Sequence, residues 1–88
     1  MKWKIGYSRE AEKFINKQDI REKVRNALKK FLQAMKGESI NLDLTKLSGD
    51  WKGYYRIRIG KIRIIFDISK ENREIFVEKV DHRGDVYK

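Results

Sequence analysis

The stretch Tyr54-Tyr55-Arg56-Ile57-Arg58-Ile59-Gly60-Lys61-Ile62-Arg63-Ile64-Ile65-Phe66 decides the fold. Apolar and basic residues alternate strictly up to Ile59, the period of a strand with one buried face. Gly60-Lys61 then stands where a two-residue type II′ hairpin loop needs glycine first. That turn sets Ile59 opposite Ile62, Arg58 opposite Arg63, Ile57 opposite Ile64 and Tyr55 opposite Phe66. Apolar residues meet apolar residues, which supports the register. The other face then carries Arg58 directly across from Arg63, with Arg56 two residues along and Lys61 at the turn. Like charges directly opposite destabilise a hairpin. A sequence that accepts such a conflict does so at a functional site, and here the function it suggests is holding an anion.

Working outward, residues 62–68 continue into a turn at Ser69-Lys70-Glu71-Asn72, and residues 73–80 read as a last strand. A four-residue loop there sets Phe66 against Ile75, Ile64 against Val77 and Arg63 against Glu78. Upstream, Trp3, Ile5 and Tyr7 alternate with lysines, so residues 2–7 read as a first strand. Ser8 is placed to cap a short helix whose apolar stripe is Ala11, Phe14 and Ile15. Asp19 with Glu22 has the spacing of a capping box. The helix that follows, about residues 20–36, carries Ile20, Val24, Ala27, Leu28, Phe31, Leu32 and Met35 on one face and stops at Gly37. Its opposite face carries Arg21, Arg25, Lys29, Lys30 and Lys36, which reads as a solvated surface. Residues 37–52 read as irregular, held down by Leu42, Leu44 and Leu47.

The predicted order is β-α-α-β-β-β. It makes one small α+β domain spanning residues 1–88, with two helices on one face of an antiparallel sheet. The uncovered face is expected to show Tyr54, Arg56, Arg58, Arg63 and Ile65.

Composition narrows the partners. The chain has 22 Lys and Arg against 13 Asp and Glu, a formal net charge of +9 on 88 residues. A polyanion is therefore the expected partner, nucleic acid first. There is no cysteine and His82 is the single histidine, so neither disulfides nor a His/Cys metal site is available and no cofactor is expected. No apolar run has the length of a membrane span, and Met1-Lys2-Trp3-Lys4 lacks the apolar core of a signal peptide. A soluble, cytoplasmic protein with no membrane partner is expected.

The order of elements, Leu47-Ser48-Gly49, Gly53-Tyr54-Tyr55-Arg56-Ile57-Arg58-Ile59-Gly60, Arg63-Ile64-Ile65-Phe66 and the ending His82-Arg83-Gly84-Asp85-Val86-Tyr87 together resemble the RelE/ParE superfamily of toxins from toxin–antitoxin modules. The resemblance covers essentially the whole chain. The Tyr-Arg-hydrophobic-Arg-hydrophobic-Gly stretch is common to the superfamily, and the ending is similar to the RelE branch. For that branch the resemblance implies a ribosome-dependent endoribonuclease that cuts mRNA. A ParE-like protein instead poisons DNA gyrase on the same fold. By position, the RelE catalytic set falls on Arg56, Arg58, Arg63, Arg83 and Tyr87. The second-strand pair is arginine here, where lysine is found in the best-known members. The resemblance also implies a cognate antitoxin, acidic and partly disordered, that wraps a toxin monomeric by itself.

Cleavage by an RNA 2′-hydroxyl needs a base, cations for the phosphorane charge and an acid for the departing 5′-oxygen. Arginine forks onto phosphate and stays charged, so it fits the second task only. Tyr87 and His82 are left as proton movers. Arginines around Tyr87 would favour its phenolate, and His82 is the one imidazole available as acid or alternative base. Tyr54 is a candidate base-stacking residue, and Lys46 and Lys52 are candidate ligand contacts. The plainer alternatives are arginines paired with Asp67, Glu74 or Glu78, a structural His82, a packing Tyr87, a Trp51 that anchors its loop, and a protein that binds RNA or antitoxin without chemistry.

Overall fold

A computed structural model describes residues 2–82. Its elements run β1 (Lys4–Tyr7), α1 (Arg9–Gln18), α2 (Arg21–Met35), β2 (Asp43–Lys46), a 3-10 turn (Gly49–Trp51), β3 (Tyr55–Ile59), β4 (Ile62–Ser69) and β5 (Glu74–His82). The fold is α+β, a RelE-like arrangement of two helices and a five-stranded sheet in the order β1-β5-β4-β3-β2. Neighbouring strands are antiparallel except β1, which runs parallel to β5 with Ile5 beside Ile75. A parallel partner requires a long crossover. Here that crossover is nearly the whole chain, so local pattern gave no hint of it.

The central hairpin has the expected register: Tyr55–Phe66, Ile57–Ile64, Arg58–Arg63 and Ile59–Ile62. Gly60 has φ 58, the left-handed backbone that its place first in the loop demands. Ile57, Ile64 and Phe66 are fully buried and meet Ala11 and Ile15 of α1 and Val24, Ala27, Leu28 and Phe31 of α2. Phe31 stands edge-on to Phe66 at 4.9 Å between centroids, and Tyr55 stacks on Phe66 at 5.8 Å. One sheet face is therefore the core.

Besides the parallel β1, three expectations change. Asp43–Lys46, read as irregular, pairs with β3 as an edge strand, Leu44 beside Ile57 and Thr45 beside Arg56. Four residues with exposed ends carry too little alternation to stand out from a loop. Asp19 does not open a capping box. It closes α1 in the left-handed conformation, φ 54, while Ile20 begins α2 without a side-chain cap. Ile20 is buried, so packing against the core, and not a side-chain hydrogen bond, fixes where α2 begins.

The third change moves the register of the last strand. β4 and β5 pair Ile68 with Ile75 and Phe66 with Val77, then Ile65 with Lys79, Ile64 with Val80 and Arg63 with Asp81. The loop is therefore Lys70 to Arg73, and Arg63 faces Asp81 instead of the expected Glu78. Glu78 is the extra residue of a β-bulge between Val77 and Val80. The cause is visible in burial: Val77 and Val80 are both core residues but lie three apart, and only a bulge turns both inward. Ser8 locks it. Its hydroxyl donates to the Glu78 carbonyl at 2.6 Å and accepts from the Ala11 N–H at 3.1 Å, so the cap of α1 is tied to the bulge.

Candidate nucleic-acid interface on the open sheet face

The bulge decides what stands together on the face away from the helices. Across β2, β3, β4 and β5 one row reads Asp43, Arg58, Arg63, Asp81. Each arginine of the like-charged pair thus has a carboxylate on its outer side. Arg58 Nε donates to Asp43 at 2.9 Å. Arg63 donates through Nε and Nη2 to the two carboxylate oxygens of Asp81, at 3.0 and 3.2 Å. The Arg63–Asp81 side chains are 13 and 17% exposed, against 35 and 48% for Arg58–Asp43, so the first pair is much the more rigid. Charges alternate outward from the centre, and the cross-strand conflict is resolved within the sheet.

The adjacent row is different. It reads Thr45, Arg56, Ile65, Lys79. Arg56 touches the Thr45 hydroxyl at 3.4 Å through Nη2. Its Nε is buried and has no hydrogen-bond partner. A buried unpaired donor costs roughly 1–3 kcal/mol. Among the described residues neither Arg56 nor Lys79 makes an ion pair. Leu47, Trp51, Arg56, Arg63, Ile65, Lys79 and Asp81 together line a cleft of about 260 Å³. Its floor is Ile65, 8% exposed although it lies outside the main core.

Tyr54 flanks this cleft. Its hydroxyl donates to Glu78 at 3.4 Å, and its ring stands edge-on to Trp51 at 5.1 Å. Its pKa is raised by burial first and then by the carboxylates of Glu78 and Asp67, so the phenol holds its proton and is unsuited to be a base. Lys52 is exposed just after the 3-10 turn. Lys46 is exposed on β2 beside Tyr55, whose ring packs toward the helices, and so points away from the arginine face. His82 also sits elsewhere. It pairs with the buried Ile62 and its ring meets Phe14 of α1 edge-on at 5.3 Å. Strand alternation therefore sets it on the helix side while Asp81 faces the cleft. Arg83 and Tyr87 lie outside the described residues.

Sequence reasoning missed Trp51, Leu47, Lys79 and Asp81. The β5 pair was hidden by the bulge. The signal for it was the Val77–Val80 spacing, which breaks a period of two. A larger hollow of about 420 Å³ lies between α2 and the start of β2. Its arginine is Arg58, already engaged by Asp43, and its lysines Lys23 and Lys30 are exposed on the helix. Among the described residues no group of His, Cys, Asp and Glu is arranged to hold a metal ion, and no helix is long and apolar enough to cross a membrane.

A small sheet with one arginine-lined open face and a two-helix cover is the architecture of a class of bacterial and archaeal toxins. The ParE toxin family of type II toxin–antitoxin systems matches residues 5–87, and the chain belongs to it, within the RelE/ParE toxin superfamily. No curated protein sequence matches the chain. Among solved structures it resembles YafQ of E. coli BL21(DE3), with 18% identity, 99% of this chain and 100% of that chain covered, and a TM-score of 0.62. It also resembles a chain of the RelB-RelE antitoxin–toxin complex of Methanococcus jannaschii, with 24% identity, coverage of 93 and 94% and a TM-score of 0.63. The archaeal RelE-RelB complex of Pyrococcus horikoshii OT3 gives 22% identity, coverage of 96 and 98% and a TM-score of 0.59. At these identities the likeness speaks for the fold.

Proposed function

We propose that this toxin is an mRNA endoribonuclease that acts on ribosome-bound message and cleaves by attack of a 2′-hydroxyl on the adjacent phosphate. The observation that carries the reading is that Arg56, without an ion pair among the described residues, shares one cleft of the open face with an Asp81-anchored Arg63 and an exposed, unpaired Lys79. Cations already gathered at one place suit a phosphorane better than a resting phosphate.

In this scheme Arg56 forks onto the non-bridging oxygens as their charge grows. Arg63, fixed by Asp81, offers its remaining N–H from a guanidinium that needs no reordering. Arg58 adds positive potential at the rim. As the 2′-oxygen bonds to phosphorus its proton passes to a base, and as the P–O5′ bond breaks the leaving oxygen takes a proton. The products are a 2′,3′-cyclic phosphate and a free 5′-hydroxyl. Tyr87 is the proposed proton carrier and Arg83 a further phosphate contact. Tyr87 is five residues beyond His82, a reach of at most roughly 17 Å of extended chain. His82 has no part in this scheme, since its ring packs on Phe14. So few proton-transfer groups make a slow free enzyme, and the ribosome supplies the positioning of the message. A cognate antitoxin is the proposed protein partner, in keeping with the antitoxin–toxin complexes of the M. jannaschii and P. horikoshii proteins.

The match to the ParE family favours a second reading, inhibition of DNA gyrase through the same basic face. Induction of the chain in cells followed by primer extension separates the two. Discrete breaks within codons, lost in Tyr87→Phe, support cleavage. Intact messages accompanied by DNA damage support the gyrase reading.

A further inference from the structure

The cleft combines two chemistries. Arg56 and Lys79 flank Ile65 in one cross-strand row, with the Arg63–Asp81 pair in the next. Leu47 and the ring of Trp51 complete the lining. Trp51 is 37% exposed. It is also held firmly. It lies in the Gly49–Trp51 turn, its N–H donates to the Ser48 carbonyl at 3.2 Å, and its carbonyl accepts from the Tyr54 N–H at 3.0 Å. The Tyr54 ring stands edge-on to it with an interplanar angle of 88°. Edge-on contact braces a ring without covering both of its faces, so an indole face is left for another flat group.

We infer that Trp51, backed by Leu47 and Ile65, is the nucleobase platform of this site, on which one base of a single-stranded RNA stacks while its phosphate reaches Arg56 and Lys79. This rests on the cleavage reading above and adds to it the part of the substrate that is held beside the phosphate. Three features select this occupant. The cations are unpaired, which suits a polyanion. The wall carries one braced indole ring, which suits the stacking of a base. The volume, about 260 Å³, is below the roughly 300–1,000 Å³ of sites that enclose a whole small molecule, and it fits one unit of a longer strand. A duplex offers no free base face, so single strands are preferred.

The test uses the full chain in a Trp3→Phe background, so that Trp51 is the single tryptophan. Hexa-adenylate with 2′-O-methyl riboses, which cannot be cut, is compared with the same sugar-phosphate hexamer lacking bases. The expected result is quenching of Trp51 fluorescence by the first and little by the second. Without the Trp3→Phe change, Trp51→Ala is expected to bind hexa-adenylate about 5- to 150-fold more weakly by fluorescence anisotropy of a labelled oligomer, and Trp51→Phe to retain most of the affinity. If Trp51→Ala does not fold, Trp51→Leu, which keeps apolar bulk and loses the ring face, carries the comparison with the same expected loss. Equal affinity of the parent and the ring-less variant, or equal quenching by the two hexamers, overturns the inference. That outcome with message still cut leaves the cleavage reading standing. Quenching by hexa-adenylate with message left intact removes cleavage and keeps the platform.

Discussion

Arg56 and Arg63 are separated by two strand positions' worth of environment, and their chemistry differs accordingly. Arg63 is satisfied twice by Asp81, whereas Arg56 has a buried donor with nothing to bond. Removing each is therefore expected to have opposite consequences. Arg56→Ala should leave stability within about 0.5 kcal/mol of the parent or raise it, because an unsatisfied group disappears, while weakening RNA binding. Asp81→Ala should cost about 1.5–3 kcal/mol in urea denaturation, the range for charged hydrogen bonds, since Arg63 then loses both acceptors. Breaking the Arg58–Asp43 pair, whose side chains are the more exposed, should cost less than breaking Arg63–Asp81. Tyr7 offers a check on burial at the same scale. Its hydroxyl is buried without a partner while the Arg21 guanidinium lies over its ring at 5.3 Å. Burial raises its pKa, opposed by the charges of Arg21 and Arg25. A raised folded pKa gives stability that is complete below the unfolded value, near ~10, and is lost as pH climbs through the folded one. Tyr7→Phe should therefore flatten the alkaline loss of stability above about pH 10, measured by thermal melts across pH 8–11.5; an unchanged slope rules Tyr7 out as its source.

At the level of elements, the bulge in β5 does the most to assemble the site. It advances the register so that Lys79 and Asp81, instead of Glu78, come alongside Arg56 and Arg63. Ser8 bonds that bulge and α1 at once. Ser8→Ala should cost about 1–2 kcal/mol, the upper half of the usual capping range, and should reduce RNA binding as well, while an ordinary cap loss would lower stability alone. The central hairpin was legible in the sequence because β3 alternates strictly and the loop has its glycine where the turn demands it. The two helices were legible for the same kind of reason, through Ala11, Ile15, Val24, Leu28 and Phe31 at helical spacing. The parallel partner of β1 was not, since it lies some 70 positions away by register, Ile5 beside Ile75. Nor was β2, whose four residues pair only because β3 offers an edge. Of the site, Arg56 and Arg63 could be read directly. Their unequal freedom could not, because it depends on Asp81 and on a bulge that pattern alone did not place.

Over the whole molecule, a net charge of +9 draws any polyanion, so affinity alone says little about function. Salt dependence is more informative. If phosphate contact runs through Arg56, Arg63 and Lys79, the log–log slope of single-strand affinity against salt should be about −2, and Arg56→Ala should reduce its magnitude by about 0.7. A slope far steeper than this, unmoved by Arg56→Ala, would assign binding to the basic residues of α2 instead. The same charge explains why an acidic partner protein suits the chain, whatever its target. The central claim is that the open face of this sheet cuts message on the ribosome. It is tested most directly by primer extension on a defined mRNA bound to purified ribosomes, with the parent protein beside a folded Arg56→Ala variant. The account predicts breaks within the codon at the decoding site for the parent and a loss of at least about 100-fold for the variant, the size seen when a charge-stabilising donor is removed from an active site. Message left whole by the parent, or cut equally by both proteins, would contradict it.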